Sequence, residues 1–196
     1  MKQALQPGVH GIPHIVSRHA VAVVLITVAQ AGLIVAGSVG TGILLRKKDE
    51  GTWSRPSACG LTGVSCGMLV GASLKDLVVF INTDEALDAL MSKQGLELGG
   101  RAEVTLGHYG RSAGLDINMG HHSIGMTYTV AFSKGAFVGF SVQGAVIGSR
   151  NAINMYFYGK EVSPEEILMD ENAIDFPVKW MCLMDEVYAK LMALTC

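Results

Sequence analysis

Charge is scarce in this sequence. Only 16% of its 196 residues are Asp, Glu, Lys or Arg, against about a quarter in an average globular chain. The formal net charge is −2, and Arg46-Lys47-Lys48 is the longest basic run. Such a chain lacks the basic face that releases counterions from a phosphate backbone, which excludes general nucleic-acid binding. Cysteine is scarce too. Cys59, Cys66, Cys182 and Cys196 form no C-x-x-C pair, so a disulfide scaffold and a redox motif are excluded and the thiols are expected to be reduced and mostly buried. Histidine offers no ligand spacing. Gly11 and Pro13 interrupt the helix that would align His10, His14 and His19, and in a strand the adjacent His121 and His122 point to opposite faces. No metal or other cofactor is expected.

Catalytic signatures are nearly absent as well. There is no G-K-[ST] phosphate loop, and Gly37-Ser38-Val39-Gly40-Thr41-Gly42 has its glycines in the wrong order for a dinucleotide fingerprint. Those glycines are expected to serve close backbone packing. Glu97 and Glu103, six residues apart, share a strand face but stand too far apart along it to act as an acid/base dyad. Gly63-Val64-Ser65-Cys66-Gly67 does match the G-x-S-x-G nucleophile elbow. It makes a small serine hydrolase using Ser65 an alternative, with Asp76 or Asp116 and His121 as nominal partners. Met68-Leu69-Val70-Gly71 is a poor helix opening after it, so the expected answer is that the protein is not an enzyme.

What the sequence has in quantity is apolar residues, 49%, and glycine, 24 residues. A chain this apolar can bury enough surface to offset its ordering entropy, which excludes disorder. Charge is segregated along it. Residues 1–55 carry six Lys/Arg and two acidic residues, residues 56–160 seven of each sign, and residues 161–196 two basic and eight acidic residues. Ala20–Gly37 is a run whose only polar side chains are Thr27 and Gln30, long enough for a membrane span on a hydropathy window. Its Val and Ile content favours strand instead, with a break into two strands expected near Gln30 and Gly32. A secretory signal is disfavoured because nineteen residues precede the run.

Along the chain, a short helix is expected over Ile12–His19, a third strand over Gly40–Arg46, and a polar hairpin tip at Lys47–Gly51 leading to Trp53. Pro56–Ala72 reads as a strand or close-packed loop and Leu77–Ile81 as a buried strand. Asn82 and Glu85 form a capping-box pattern for a helix over Glu85–Ser92. Leu96–Leu106 alternates with a bulge at Gly99-Gly100. Ser123–Ser133 and Ala136–Ser149 read as a hairpin about Lys134-Gly135. Ser163-Pro164-Glu165-Glu166 opens another short helix. Lys179–Leu194 is the best amphipathic helix, with Trp180, Leu183, Met184, Val187, Leu191 and Leu194 at three- and four-residue spacings. About eight strands without βα alternation predict an α+β fold: a strongly bent antiparallel β-sheet or partial β-barrel, short flanking helices and the C-terminal amphipathic helix.

A set of these residues also carries a resemblance. It comprises Ile12-Pro13, Ala31-Gly32, Gly40-Thr41-Gly42, the string Gly51-Thr52-Trp53-Ser54-Arg55-Pro56-Ser57-Ala58, Gly71-Ala72, Asp76-Leu77-Val78 and Asn82. It continues through Leu98-Gly99-Gly100, Gly110-Arg111, Gly135-Ala136-Phe137-Val138-Gly139 and Phe157-Tyr158-Gly159. In this order they resemble the SYLF domain family, also known as DUF500, the yeast-type actin-binding domain. The resemblance implies a domain over residues 12–169, followed by a helical extension, residues 170–196, packed on the same domain. It further implies a cytoplasmic, peripherally membrane-associated module that binds phosphoinositides or other acidic lipids, and that in eukaryotic members binds actin and works in endocytosis. The lipid-contacting candidates are Arg46, Lys47, Lys48, Trp53, Arg55 and Arg111, where each basic residue adds about 1 kcal/mol at an anionic surface. His19, Val21 and Gln30 stand where family members carry lysines, which makes a protein-interaction scaffold without lipid binding the second reading.

Overall fold

The structure, a computed structural model, describes residues 18–92, 95–105, 109–119, 124–134, 137–170 and 174–195. Two strands of 25 residues each, β1 (Ala22–Arg46) and β2 (Ser57–Ile81), pair antiparallel along almost their whole length. Helix α1 (Asp84–Met91) and strands β3 (Leu96–Thr105), β4 (Tyr109–Met119), β5 (Ile124–Lys134) and β6 (Phe137–Ser149) follow. The chain ends in α2 (Asn151–Tyr158), α3 (Pro164–Met169), a 3-10 turn at Val178–Trp180 and α4 (Met181–Thr195).

The sheet is antiparallel throughout, and its order sets the expected hairpin aside. On its second edge β2 pairs with β6 from Cys59 to Gly71 and with β5 from Leu74 to Ile81. Gly71 faces Phe137 and Leu74 faces Lys134, so one unbroken register runs across both partners. β5 and β6 therefore form a single lane along β2 and do not pair with each other. β3 and β4 lie outside that lane, against β6 and β5 respectively. The bulge expected at Gly99-Gly100 is present as a register shift between Leu98 and Arg101.

The apolar run is likewise one strand, not two or three. β2 supplies partners straight through the expected break, pairing Ser73 with Gln30 and Gly71 with Gly32, and the register shifts only between Leu33 and Val35. Ile34 there has φ 64, unusual for a β-branched residue. The strand doubles back about this point. A Cβ on Gly42 would lie 2.1 Å from the Leu25 carbonyl oxygen, and one on Gly40 would lie 2.8 Å from Val28 Cγ2. At the far end the Lys47 N–H donates to the Val21 carbonyl at 2.8 Å. Glycine is required at positions 40 and 42 because the strand's own first half occupies the space a side chain would need.

Burial explains the membrane-like hydropathy of Ala22–Ile26, all at 0% exposure. One face, with Ala22, Val24 and Ile26, packs against Val79, Ile81 and the α1 residues Leu87 and Leu90. The other, with Val23 and Leu25, packs against Phe80, Trp53 and the α4 residues Met184 and Leu191. A strand stretch covered on both faces reads as a continuous hydrophobic run. Among the described residues no helix is long and apolar enough to span a membrane.

The helices follow local chemistry. α3 has the full capping box: the Glu166 N–H donates to Ser163 Oγ, and the Ser163 N–H donates to the Glu166 carboxylate. α1 is capped by Thr83, one residue later than expected, through the Ala86 N–H. α4 buries Met184 and Leu191, but Trp180 and Leu183 of the expected inward stripe are 39% and 50% exposed. The expected helix over Ile12–His19 lies almost wholly outside the described residues.

Candidate functional site

The cationic candidates sit where β1 leaves the sheet. The Gly51 N–H donates to the Lys48 carbonyl and the Lys48 N–H to the Thr52 carbonyl, closing a tight loop over Asp49, Glu50 and Gly51. Gly51 takes φ +81, the left-handed position that ends a three-residue hairpin loop. Lys47 then bridges to Trp53, and Arg46 and Ser54 exchange bonds: the Ser54 N–H donates to the Arg46 carbonyl, the Arg46 N–H to Ser54 Oγ. Arg46, Lys47 and Lys48 are half-buried, and Asp49 and Glu50 are exposed at the tip. Lys47 Nζ donates to the Arg18 carbonyl at 3.3 Å.

The return arm of this hairpin is held from three sides. Trp53, 5% exposed, lies in the second core cluster with Met184 and Leu191. Its ring is part of the interior, and its backbone sets the height of the cations. The Tyr188 hydroxyl donates to the Ser54 carbonyl at 3.0 Å, and the Tyr158 hydroxyl donates to the Pro56 carbonyl at 2.7 Å. Asn154 of α2 accepts from the Ala58 N–H at 2.7 Å and donates to Ser57 Oγ at 3.1 Å. Burial pushes both phenols up, Tyr188 to about 12, while the neighbouring Arg55 guanidinium opposes the rise in each. Trp53 Nε1 and Arg55 Nη1 are buried without an acceptor among the described residues.

Five of the six candidates thus converge on one hairpin. Arg111 does not. Its backbone pairs with Phe132 in β5, which pairs with Asp76 in β2 and so with Thr27 in β1, three lanes from the hairpin's own strand. Its side chain lies outside the described residues. Ser65 sits in mid-strand, paired with Ala36 and Gln143, whereas a nucleophile elbow requires a sharp strand-to-helix turn. His121 lies outside the described residues. The hairpin offers cations and hydrogen-bond donors, and among its described residues no nucleophile paired with a base.

Sequence reasoning missed α2 and with it Asn154. That helix buries only Asn154 and leaves Ile153, Met155 and Tyr156 at 41%, 49% and 88% exposure, the reverse of an amphipathic pattern. The available signal was Gly159, which ends the helix in the left-handed conformation.

The family described as Ysc84, Las17-binding protein actin regulator, matches residues 62–190. The yeast (Saccharomyces cerevisiae) Protein YSC84 is 34% identical over 157 residues, 80% of this chain and 34% of the relative. The yeast LAS seventeen-binding protein 3 is equally similar over the same shares. The human SH3 domain-containing YSC84-like protein 1 is 32% identical over 160 residues, 82% of this chain and 46% of the relative. The chain therefore spans a third to a half of the length of these relatives. No solved structure matches.

Proposed function

The chain belongs to the Ysc84 family, the SYLF domain family, and from that membership we propose that it is a non-catalytic adaptor that places acidic membrane lipid beside a protein of the actin machinery. The relatives' names support the protein side, since they describe Las17 binding and actin regulation. The observation that carries the lipid side is the hairpin: Arg46, Lys47 and Lys48 are presented together on a loop whose return arm is locked by Trp53, Tyr158, Tyr188 and Asn154. A fixed loop presents its charges without the ordering cost a mobile one incurs on binding. Attachment of this kind is peripheral. Three cations at about 1 kcal/mol each give weak, salt-sensitive adhesion.

Flotation with phosphoinositide-containing vesicles at low salt tests this reading. Replacing Arg46, Lys47 and Lys48 together by Ala is expected to lower vesicle affinity about 100-fold, the equivalent of about 3 kcal/mol. Unchanged flotation would reject the hairpin as the contact. Co-sedimentation with actin filaments tests the protein partner separately. A scaffold without lipid binding is favoured by one feature, the exposure of Tyr156, Trp180, Met181 and Leu183 on the helical side. Actin binding by a chain that fails to float would establish it.

A further inference from the structure

The solvent face of the sheet holds a second feature, remote from the cationic hairpin. Directly paired residues of an antiparallel sheet share a face, so the register places Gly37, Val64 and Gly144 in one row across three lanes. Val39, Thr62, Val146 and Glu97 form the next row, and Thr41, Gly60 and Gly148 the one after. The opposite face of the same strands carries Cys59, Leu61, Leu98 and Ile147 into the core. The outer face is bare. Val39 and Val64 are 64% and 65% exposed, and a Cβ built on Gly37 or Gly144 would meet no atom within 4 Å.

These rows floor two adjoining open cavities that share Val39, Thr62 and Val146. The larger, about 820 Å³, is floored by glycine and aliphatic groups, with Glu97 at its side. The smaller, about 600 Å³, is about half polar, with Ser92, Ser149, Arg150 and Asn151 in its lining and no carboxylate there. The Arg150 side chain lies across Gly60, where a Cβ would be 2.8 Å from its Cδ, and its Nη1 donates to Thr41 Oγ1 at 3.4 Å. No carboxylate pairs with this guanidinium among the described residues. Cation and apolar trough are thus joined end to end. From the Arg150 row to the Gly37 row is two row spacings, about 13 Å at strand geometry, the reach of a medium-length alkyl chain.

We propose that this trough binds one acidic phospholipid, its phosphate at Arg150 and one acyl chain laid over Thr62, Val39, Val64 and the gap left by Gly37 and Gly144. The assignment rests on the acidic-lipid reading above and adds a site for the chain of the lipid. Charge complementarity fixes the direction: the guanidinium takes the anion as a bidentate pair, and Glu97 excludes the anion from the apolar end. The glycines matter because a flat sheet face offers a chain no side walls, whereas missing side chains between exposed valines form a channel.

Calorimetric titration of the full chain with dodecyl phosphate, below its micelle concentration, tests the site. Saturable binding is expected, with inorganic phosphate and dodecanol each at least tenfold weaker. Gly37→Leu and Gly144→Leu fill the channel and are expected to abolish binding while the circular dichroism spectrum stays native. Arg150→Gln is expected to weaken binding at least tenfold, and because Arg150 is exposed it carries the test if the filled variants fail to fold. Undiminished binding in Arg150→Gln or in a folded channel-filled variant overturns the proposal. So does dodecanoate binding as tightly as dodecyl phosphate, which assigns the site to free fatty acid. A concentration-dependent dimer, seen by sedimentation and removed by Gly144→Leu, overturns it in favour of a second copy. The variant with Arg46, Lys47 and Lys48 replaced by Ala is expected to keep its dodecyl phosphate affinity, so failure of the hairpin reading and failure of the trough are separately visible.

Discussion

The hairpin at Arg46–Ala58 and the bare face around Val64 belong to the same two strands, yet they are built oppositely. Three backbone groups of the hairpin's return arm are answered by side chains from distant elements: Tyr188, Tyr158 and Asn154 each reach back more than ninety positions to hold it. Around Val64 the glycines at 37 and 144 leave space that no other part of the described chain enters. The difference teaches where to look for each kind of property. The held region resists change because its bonds are made at folding. The bare region contributes little to folding, so its shape is free to serve a ligand.

The sharpest way to break that contrast is at Trp53. If the hairpin is held from inside, Trp53→Ala leaves a cavity beside Met184 and Leu191 and is expected to cost about 3–5 kcal/mol, read as a large fall in the urea midpoint. A loss below about 0.5 kcal/mol, typical of surface positions, would show that the indole is not part of the core.

Alkaline titration sharpens the contrast with a smaller effect. Cys59 lies beneath the bare face, and burial pushes its thiol up from 9.0 to about 12, with Arg150 opposing the rise. Tyr188, whose hydroxyl holds the hairpin from α4, is likewise pushed up from 10.0 to about 12 by burial. Both groups stay protonated in the folded chain at a pH where the unfolded chain has released them. The unfolded state then binds fewer protons, so stability falls as pH rises and is flat below the unfolded values. The fall is expected to begin near pH 9 and to reach about 2 kcal/mol at pH 10, most of it from Cys59. Urea midpoints measured from pH 8 to 11 check it. In Cys59→Ala the onset is expected to move toward pH 10, leaving the tyrosines to set it; an unmoved onset would mean that Cys59 is accessible.

Much of the architecture was legible because it depends on neighbours in sequence. The capping box of Ser163 and Glu166, the bulge at Gly99-Gly100, the turn closed by Gly51 and the buried strand over Leu77–Ile81 all arise from local chemistry. What was illegible depends on partners far along the chain. Nothing near Gly32 tells that β2 will carry β1 through it, and Lys134-Gly135 looks like a turn until one lane of β2 is seen to accept both flanking strands. The five hairpin candidates were visible as a cluster of charge about an aromatic residue, but the burial of that residue follows from α4, more than a hundred residues later. Arg150 was not nominated at all. Its significance comes from lying over Gly60, and a lone arginine after a strand carries no such signal.

The glycines show the same limit and lead to the smallest expected effect. Read from sequence, those of Gly37–Gly42 all served close backbone approach, and for Gly40 and Gly42 that holds. Gly37 and Gly144 were not needed for packing, since a Cβ at either meets nothing within 4 Å and neither takes a positive φ. Removing glycine's freedom in the unfolded chain stabilises by about 0.4–1 kcal/mol where the native backbone accepts a side chain, and β-propensity acts in the same direction. Gly144→Ala is therefore expected to raise the urea midpoint slightly, while Gly42→Ala, which would press into the Leu25 carbonyl, lowers it. Should Gly144→Ala destabilise instead, the face is filled by some other part of the chain and the contrast between held and bare regions fails. If it stabilises, glycine at 144 is retained at a cost in stability, as expected for a position whose open space is used for binding.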